Sequence, residues 1–202
     1  MSLPDFSRET RAIKNGLIVC GIDEAGRGPW AGPVVAAAVI LDPRNIPKGL
    51  NDSKKLTEAK REAMFEPIMQ TAQVGIGIIS ASRIDAINIL RATHEAMIAA
   101  VLALPIQPTL ALVDGNRAPP LPCATETIIG GDAKSLSVAA ASIIAKVTRD
   151  RMMKALDRQY PDYHFAAHKG YGTAAHAASL ARFGPCPEHR KSFAPIRTLF
   201  DR

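Results

Sequence analysis

Apolar residues in this chain fall into short unbroken runs near its start and into longer stretches with helical spacing further on. Residues 17–23, opening Leu17-Ile18-Val19-Cys20, read as a buried strand, and residues 33–41 as a second, joined by a glycine-rich loop. Residues 74–79 predict a third strand, weakened by Gly75 and Gly77. A short buried strand over 109–113 ends at Asp114, and another over 126–129 ends before Gly130-Gly131-Asp132. Between the strands lie helices. One runs near residues 58–71, with Thr57 as its cap. The next covers 83–104, where Ile87, Leu90, Met97, Val101 and Leu104 recur at steps of three and four. His94 fills the gap in that stripe and reads as a packed core histidine rather than a ligand. A long helix over 135–160 has Val138, Ala141, Ala145, Thr148, Met152 and Leu156 as its inner stripe, and a last helix covers 173–183. Residues 165–172 read as a loop. Strands first, then alternating helices and strands, predict an α/β domain with a mixed sheet.

A chain of 202 residues fits one domain, with or without a small appendage. Apolar residues make up 47% and charged residues 22%, the balance of a globular protein with a real core. No apolar run approaches the roughly 18 residues that span a bilayer, so no membrane partner is expected. Residues 1–15 mix charges with Pro4 and lack a signal-peptide core. Cys20, Cys123 and Cys186 are scattered, with no metal-ligand pair and no even-numbered disulfide framework, which points to a reducing cytoplasm. The net charge of +6 suggests either a polyanionic partner or simply a solvated basic surface.

The chemistry concentrates at Gly21-Ile22-Asp23-Glu24-Ala25-Gly26-Arg27-Gly28-Pro29. Neighbouring residues on a strand face opposite ways. Asp23 and Glu24 therefore share an ion only if the strand end twists or a carbonyl joins in. Close-set carboxylates repel one another unless a cation sits between them, and hard oxygen ligands suit Mg²⁺ or Mn²⁺. Glycines let the backbone approach a ligand, and Arg27 between them is a bidentate donor for phosphate. Asp114 and Asp132 repeat the theme, each at the end of a strand-like run. Four carboxylates meeting at strand ends are able to hold two divalent ions astride a scissile phosphate. The plain alternative for any one of them is a surface acid in a glycine turn.

Basic and aromatic residues supply the other half of such a site. Ser142, Lys146 and Arg149 share one helix face at steps of four and three, either meeting one phosphate backbone or forming a solvated face. Lys54 and Lys55 carry the same two readings. Tyr171 lies between Gly170 and Gly172, exposed enough to stack on a sugar or base, or else covering the core.

The segment Asp23–Pro29 resembles the signature of bacterial ribonuclease HII, and the resemblance covers almost the whole chain. It includes Leu50-Asn51-Asp52-Ser53-Lys54-Lys55-Leu56, Val113-Asp114-Gly115-Asn116-Arg117, Gly131-Asp132, the run from Ala140 to Asp150, and His168-Lys169-Gly170-Tyr171, in the family's order. It implies a ribonuclease H-like mixed sheet flanked by helices over residues 1–160, with a small helical extension over 161–202. It implies that Asp23, Glu24, Asp114 and Asp132 bind the metal, and that Gly26, Arg27 and Gly28 contact the ribonucleotide 2′-hydroxyl through their backbone. Tyr171 matches the tyrosine that reads the RNA–DNA junction. Type III relatives usually carry lysine in the glycine motif and an extra N-terminal domain, so Arg27 and the short lead fit type II.

The expectation is thus a monomeric, Mg²⁺- or Mn²⁺-dependent endoribonuclease acting on RNA–DNA hybrids and on ribonucleotides embedded in duplex DNA. One rival is another two-metal nuclease or phosphohydrolase, separable by a substrate panel. A second is a non-catalytic hybrid-binding protein, easier to accept had one of the four acids been missing.

Overall fold

A computed structural model describes residues 3–200. The outermost residues of the two expected segments (1, 2, 201 and 202) lie outside them. Five strands form one sheet in the order β3-β2-β1-β4-β5. β1 (Val19–Ala25), β2 (Val34–Leu41) and β3 (Ala72–Ile79) pair antiparallel. β4 (Leu110–Asp114) and β5 (Ala124–Ile128) continue from β1 in parallel. The sheet is mixed, as expected, because the first three strands are linked directly or by a helix at one edge, while the last two need crossovers.

Helices cover both faces. On one, Cys20, Ile22, Ala36, Ala38, Ala111 and Val113 pack against α4 (Ile89–Leu102). On the other, Val35, Ala37 and Val39 pack against α5 (Leu136–Gln159). Gly75 and Gly77 are the reason α4 sits so close. A Cβ at Gly77 would lie 2.0 Å from the Ala96 carbonyl oxygen, and one at Gly75 would lie 2.1 Å from that of Ala100. The glycines that weaken β3 as an isolated strand thus bind it to the helix. Gly21 does the same for α5, its notional Cβ 2.1 Å from the Ser137 carbonyl carbon.

Several boundaries differ from the pattern reading. The expected helix over 83–104 is two: α3 (Ala81–Ile87) and α4, broken at Asn88, whose φ is 70°. Asparagine tolerates this left-handed backbone, and its side chain accepts from the Arg91 N–H to cap α4. Residues 7–14, where no element was expected, form α1 (Ser7–Lys14). Its buried Glu9 accepts from Ser135 Oγ and the Ser137 N–H at the start of α5. α2 (Glu58–Thr71) begins at the Thr57 cap as expected. α5 matches its expected span, but its first three turns are buried nearly all round, because α1, α2 and the sheet enclose them. The presumed loop after residue 164 contains one helical turn, α6 (Phe165–His168), and α7 (Ala174–Phe183) and α8 (Ala194–Phe200) follow. A separate small core of Tyr163, Phe165, Leu180, Cys186 and Ile196 seats this C-terminal part on Ala31 and Met153.

Candidate active site

The C-terminal ends of β1 and β4 lie side by side in parallel, with Ile22 opposite Val113. That register brings Asp23 and Asp114, the next residue of each strand, to the same edge. Asp23 stands opposite Ala37 and Glu24 opposite Ala36, so the two acids leave the strand on different faces. Both still line one cleft of about 230 Å³, because it opens over the strand end. All the expected site residues except Asp132 line this cleft: Asp23, Glu24, Gly26, Arg27, Gly28, Lys54, Asp114, Ser142, Lys146 and Tyr171. Asp132 lies in the turn after β5 and reaches the group through Lys54, whose Nζ is 3.6 Å from Asp132 Oδ2.

The acids are strained electrostatically. Asp23 is 4% exposed, and burial, then the neighbouring charges of Glu24 and Asp114, push its pKa well above the usual carboxylate range. Burial likewise raises Glu24, although Arg27 pulls it back. Asp132 is raised by burial, then by Asp114 and Asp52. Partial burial disfavours the charge on Lys54, but Asp132 and Asp23 outweigh it and raise its pKa.

Among the described residues, no three His, Cys, Asp or Glu side chains are arranged to coordinate an ion as they stand. Glu24 is turned to Arg27 Nη1 at 3.3 Å. Asp114 Oδ1 accepts from the Gly131 N–H at 2.7 Å. Asp132 Oδ2 is buried with no hydrogen bond at all. An all-oxygen donor set, mutually repelled, with one buried oxygen that has a lysine at 3.6 Å but no hydrogen bond, fits a hard divalent cation once the side chains turn toward it.

The basic residues divide. Lys146 lines the cleft while its Nζ donates to Asp150 at 2.7 Å. The buried hydroxyl of Ser142 pairs with that of Ser53 at 2.6 Å, which ties α5 to the Lys54 loop. Arg149, expected on the same face, is a correction: it is fully buried, and burial lowers its pKa to about 10. Its guanidinium donates to the carbonyls of Pro33, Lys169 and Ala31, so no part of it reaches a phosphate. Lys55 stays at the surface, 3.9 Å from Asp52. His94 is also corrected: it is half-buried, in a small pocket with Arg27 and Arg117 rather than in the core.

Tyr171 is 45% exposed on the cleft rim facing Gly28. Its backbone ends a chain of hydrogen bonds. The Cys186 N–H donates to His189 Nδ1 at 2.9 Å, which places the neutral ring's proton on Nε2. That proton goes to His176 Nε2, 2.9 Å away, and His176 Nδ1–H donates to the Tyr171 carbonyl at 3.0 Å. The Trp30 N–H donates to the Gly170 carbonyl and joins this loop to the glycine motif. Pattern reading missed Arg61 and Arg190. Arg61 holds the Lys54 loop through the carbonyls of Ser53 and Leu56. Nothing in the sequence marks an arginine whose partners are backbone oxygens.

Residues 20–196 match the ribonuclease HII family. The chain belongs to that family. It is 56% identical over 198 residues to the ribonuclease HII of Parvibaculum lavamentivorans, a span covering 98% of this chain and 74% of that one. Among solved structures, the ribonuclease H2 of Pyrococcus horikoshii superposes with a TM-score of 0.76 at 29% identity, covering 91% of this chain and 97% of that one. Bst-RNase HIII, solved in complex with Mn²⁺, gives 0.67 at 20% identity over 91% of this chain and 69% of its own, a likeness of fold. The fold is the ribonuclease H-like α/β fold, as expected. Among the described residues no helix is long and apolar enough to cross a membrane.

Proposed function

We propose that this protein is an endoribonuclease that hydrolyses RNA within RNA–DNA hybrids and incises 5′ of ribonucleotides embedded in duplex DNA. The observation that carries the reading is one cleft lined by Asp23, Glu24 and Asp114, with the Gly26-Arg27-Gly28 backbone on its wall and Tyr171 on its rim. Family membership supports the hybrid as substrate.

Asp23, Glu24, Asp114 and Asp132 would hold Mg²⁺ or Mn²⁺, which when bound supplies charge neutralisation at the phosphate and a more acidic water. The chain's own residues bind and orient. Lys54 and Lys146 take the phosphate backbone, with Ser142 fixing the Lys54 loop through Ser53. Gly26, Arg27 and Gly28 take the ribose hydroxyl, the group that separates RNA from DNA. Tyr171 packs on the next sugar. Water attacks the phosphate 5′ of the ribonucleotide, leaving 3′-hydroxyl and 5′-phosphate ends. The active form is a monomer, a reading supported by Asp23, Glu24 and Asp114 all lining one cleft of a single chain, with the C-terminal residues from 161 onward as an extension of the catalytic unit. Three free thiols suit a cytoplasmic setting.

The test is cleavage of a DNA duplex carrying a single ribonucleotide, with and without Mg²⁺, with the product ends mapped. Incision 5′ of the ribonucleotide only when Mg²⁺ is present supports the reading. Equal cleavage of an all-DNA duplex points to a general nuclease, and binding without cleavage to a hybrid-binding protein.

A further inference from the structure

Arg190 is fully buried and forms no ion pair among the described residues, Asp85 acting on it only at a distance. Its guanidinium instead donates to four backbone carbonyls: Gly26 at 2.6 Å, Arg27 at 2.9 Å, Gly32 at 2.8 Å and Pro33 at 3.2 Å. Burying a cation this way is costly, so its fork must hold something the fold cannot hold more cheaply.

Two of those carbonyls belong to the glycine motif. No peptide bond in the described chain is cis. In a trans peptide unit the N–H points opposite to the C=O. Drawing the Gly26 carbonyl inward therefore turns the Arg27 N–H outward, and drawing the Arg27 carbonyl inward turns out the Gly28 N–H. The outward side is the cleft, which Arg27 and Gly28 line and Arg190 does not. Among the described residues neither of these N–H groups has a backbone or side-chain acceptor. A cation on the carbonyl side also polarises each amide, which makes its N–H a stronger donor.

We propose that Arg190 is a positioning residue for ribonucleotide recognition, fixing the two peptide units so that the Arg27 and Gly28 N–H groups donate to the ribose hydroxyl. The inference rests on the proposed function and names the residue that sets its sugar selectivity. Arg149 completes the frame from below. Its Nε would lie 2.0 Å from a Cβ at Gly26, and its bond to the Lys169 carbonyl joins the motif to the loop that carries Tyr171. Arg149 therefore holds the two walls together, while Arg190 sets the direction of the donors.

The experiment compares Arg190→Lys with the parent, both carrying Asp114→Asn so that bound duplex survives. Lysine keeps the charge and loses the fork. Dissociation constants in Mg²⁺ are measured for a duplex with one ribonucleotide and for the same duplex in all-DNA form. The expected result is an unchanged all-DNA affinity and a ribonucleotide preference reduced about tenfold, the equivalent of one or two net hydrogen bonds. An unchanged preference, or equal weakening on both duplexes, overturns the proposal. If Arg190→Lys does not fold, amide exchange in the unsubstituted protein decides. The Arg27 and Gly28 amides should exchange fast in the free protein and be protected more by the ribonucleotide duplex than by DNA. Slow exchange in the free protein, or equal protection by both, refutes the idea. If the protein with Asp114 intact cleaves no ribonucleotide-containing duplex in Mg²⁺, the proposed function is overturned instead, a separate outcome.

Discussion

Gly26→Ala tests whether the glycine motif rests on Arg149. Two costs add. Gly26 has φ +96°, and an L-residue placed there costs about 1–2 kcal/mol in backbone strain. The new methyl would also sit 2.0 Å from Arg149 Nε, 2.4 Å from its Cδ and 2.7 Å from the Pro33 carbonyl oxygen. The arginine has nowhere to withdraw, because its helix is packed on the sheet and its other nitrogens hold Lys169 and Ala31. Losing only the bond from Nε to Pro33 removes a hydrogen bond from a charged donor, about 1.5–3 kcal/mol, while the Pro33 carbonyl keeps its bond from Arg190. The sum is about 3–5 kcal/mol. At about 2–4 °C per kcal/mol for a chain of this size, the melting temperature should fall by roughly 6–20 °C. Gly16→Ala is the control: its φ is +76°, with nothing within 4 Å of the added methyl, so only the backbone cost remains. Circular dichroism melts of the parent and both variants measure the difference. Equal losses for the two would refute the reasoning, since the motif would then not bear on Arg149.

Asp114→Asn should keep the fold, lose most cleavage and blunt the Mg²⁺-induced rise in melting temperature; full activity at millimolar Mg²⁺ would remove Asp114 from the metal site. Lys146→Ala should weaken duplex binding alike for all sequences and make the plot of log affinity against log salt shallower by about one phosphate contact; an unchanged slope returns Lys146 to its Asp150 pair. Tyr171→Ala should reduce kcat/KM more on a single embedded ribonucleotide than on a long hybrid, and equal losses would make it a packing residue. Acidification should loosen the Tyr171 loop: burial lowers His176, and burial together with His176 lowers His189 to about 4. Both folded values lie below the ordinary 6.5, so the unfolded chain binds protons first. Stability is then full above pH about 6.5 and falls toward pH about 4, read by urea unfolding across that window. An NMR titration placing His189 near 6.5 would contradict this.

Sequence alone determined the strand ends that carry Asp23, Glu24 and Asp114, because period and composition mark strands, and glycine and acid mark where they stop. It also placed the Thr57 cap and the spans of the long helix and of the helix near residues 173–183, which depend on residues close together in the chain. The break at Asn88 was legible in principle, since asparagine is the side chain suited to a positive φ, but an unbroken apolar stripe masked it. Three things only the tertiary structure decided. Gly75 and Gly77 looked like flaws in a strand until α4 was seen packed on them. Arg149 looked like a surface base, and helical spacing cannot tell a solvent-facing polar stripe from one roofed by the loops of residues 26–33 and 169–171. Arg190 carried no signal, because its partners are carbonyl oxygens that every residue possesses, brought within reach from more than 150 positions away. Side-chain chemistry is written locally and can be read locally; a cation satisfied by backbone belongs to the fold as a whole.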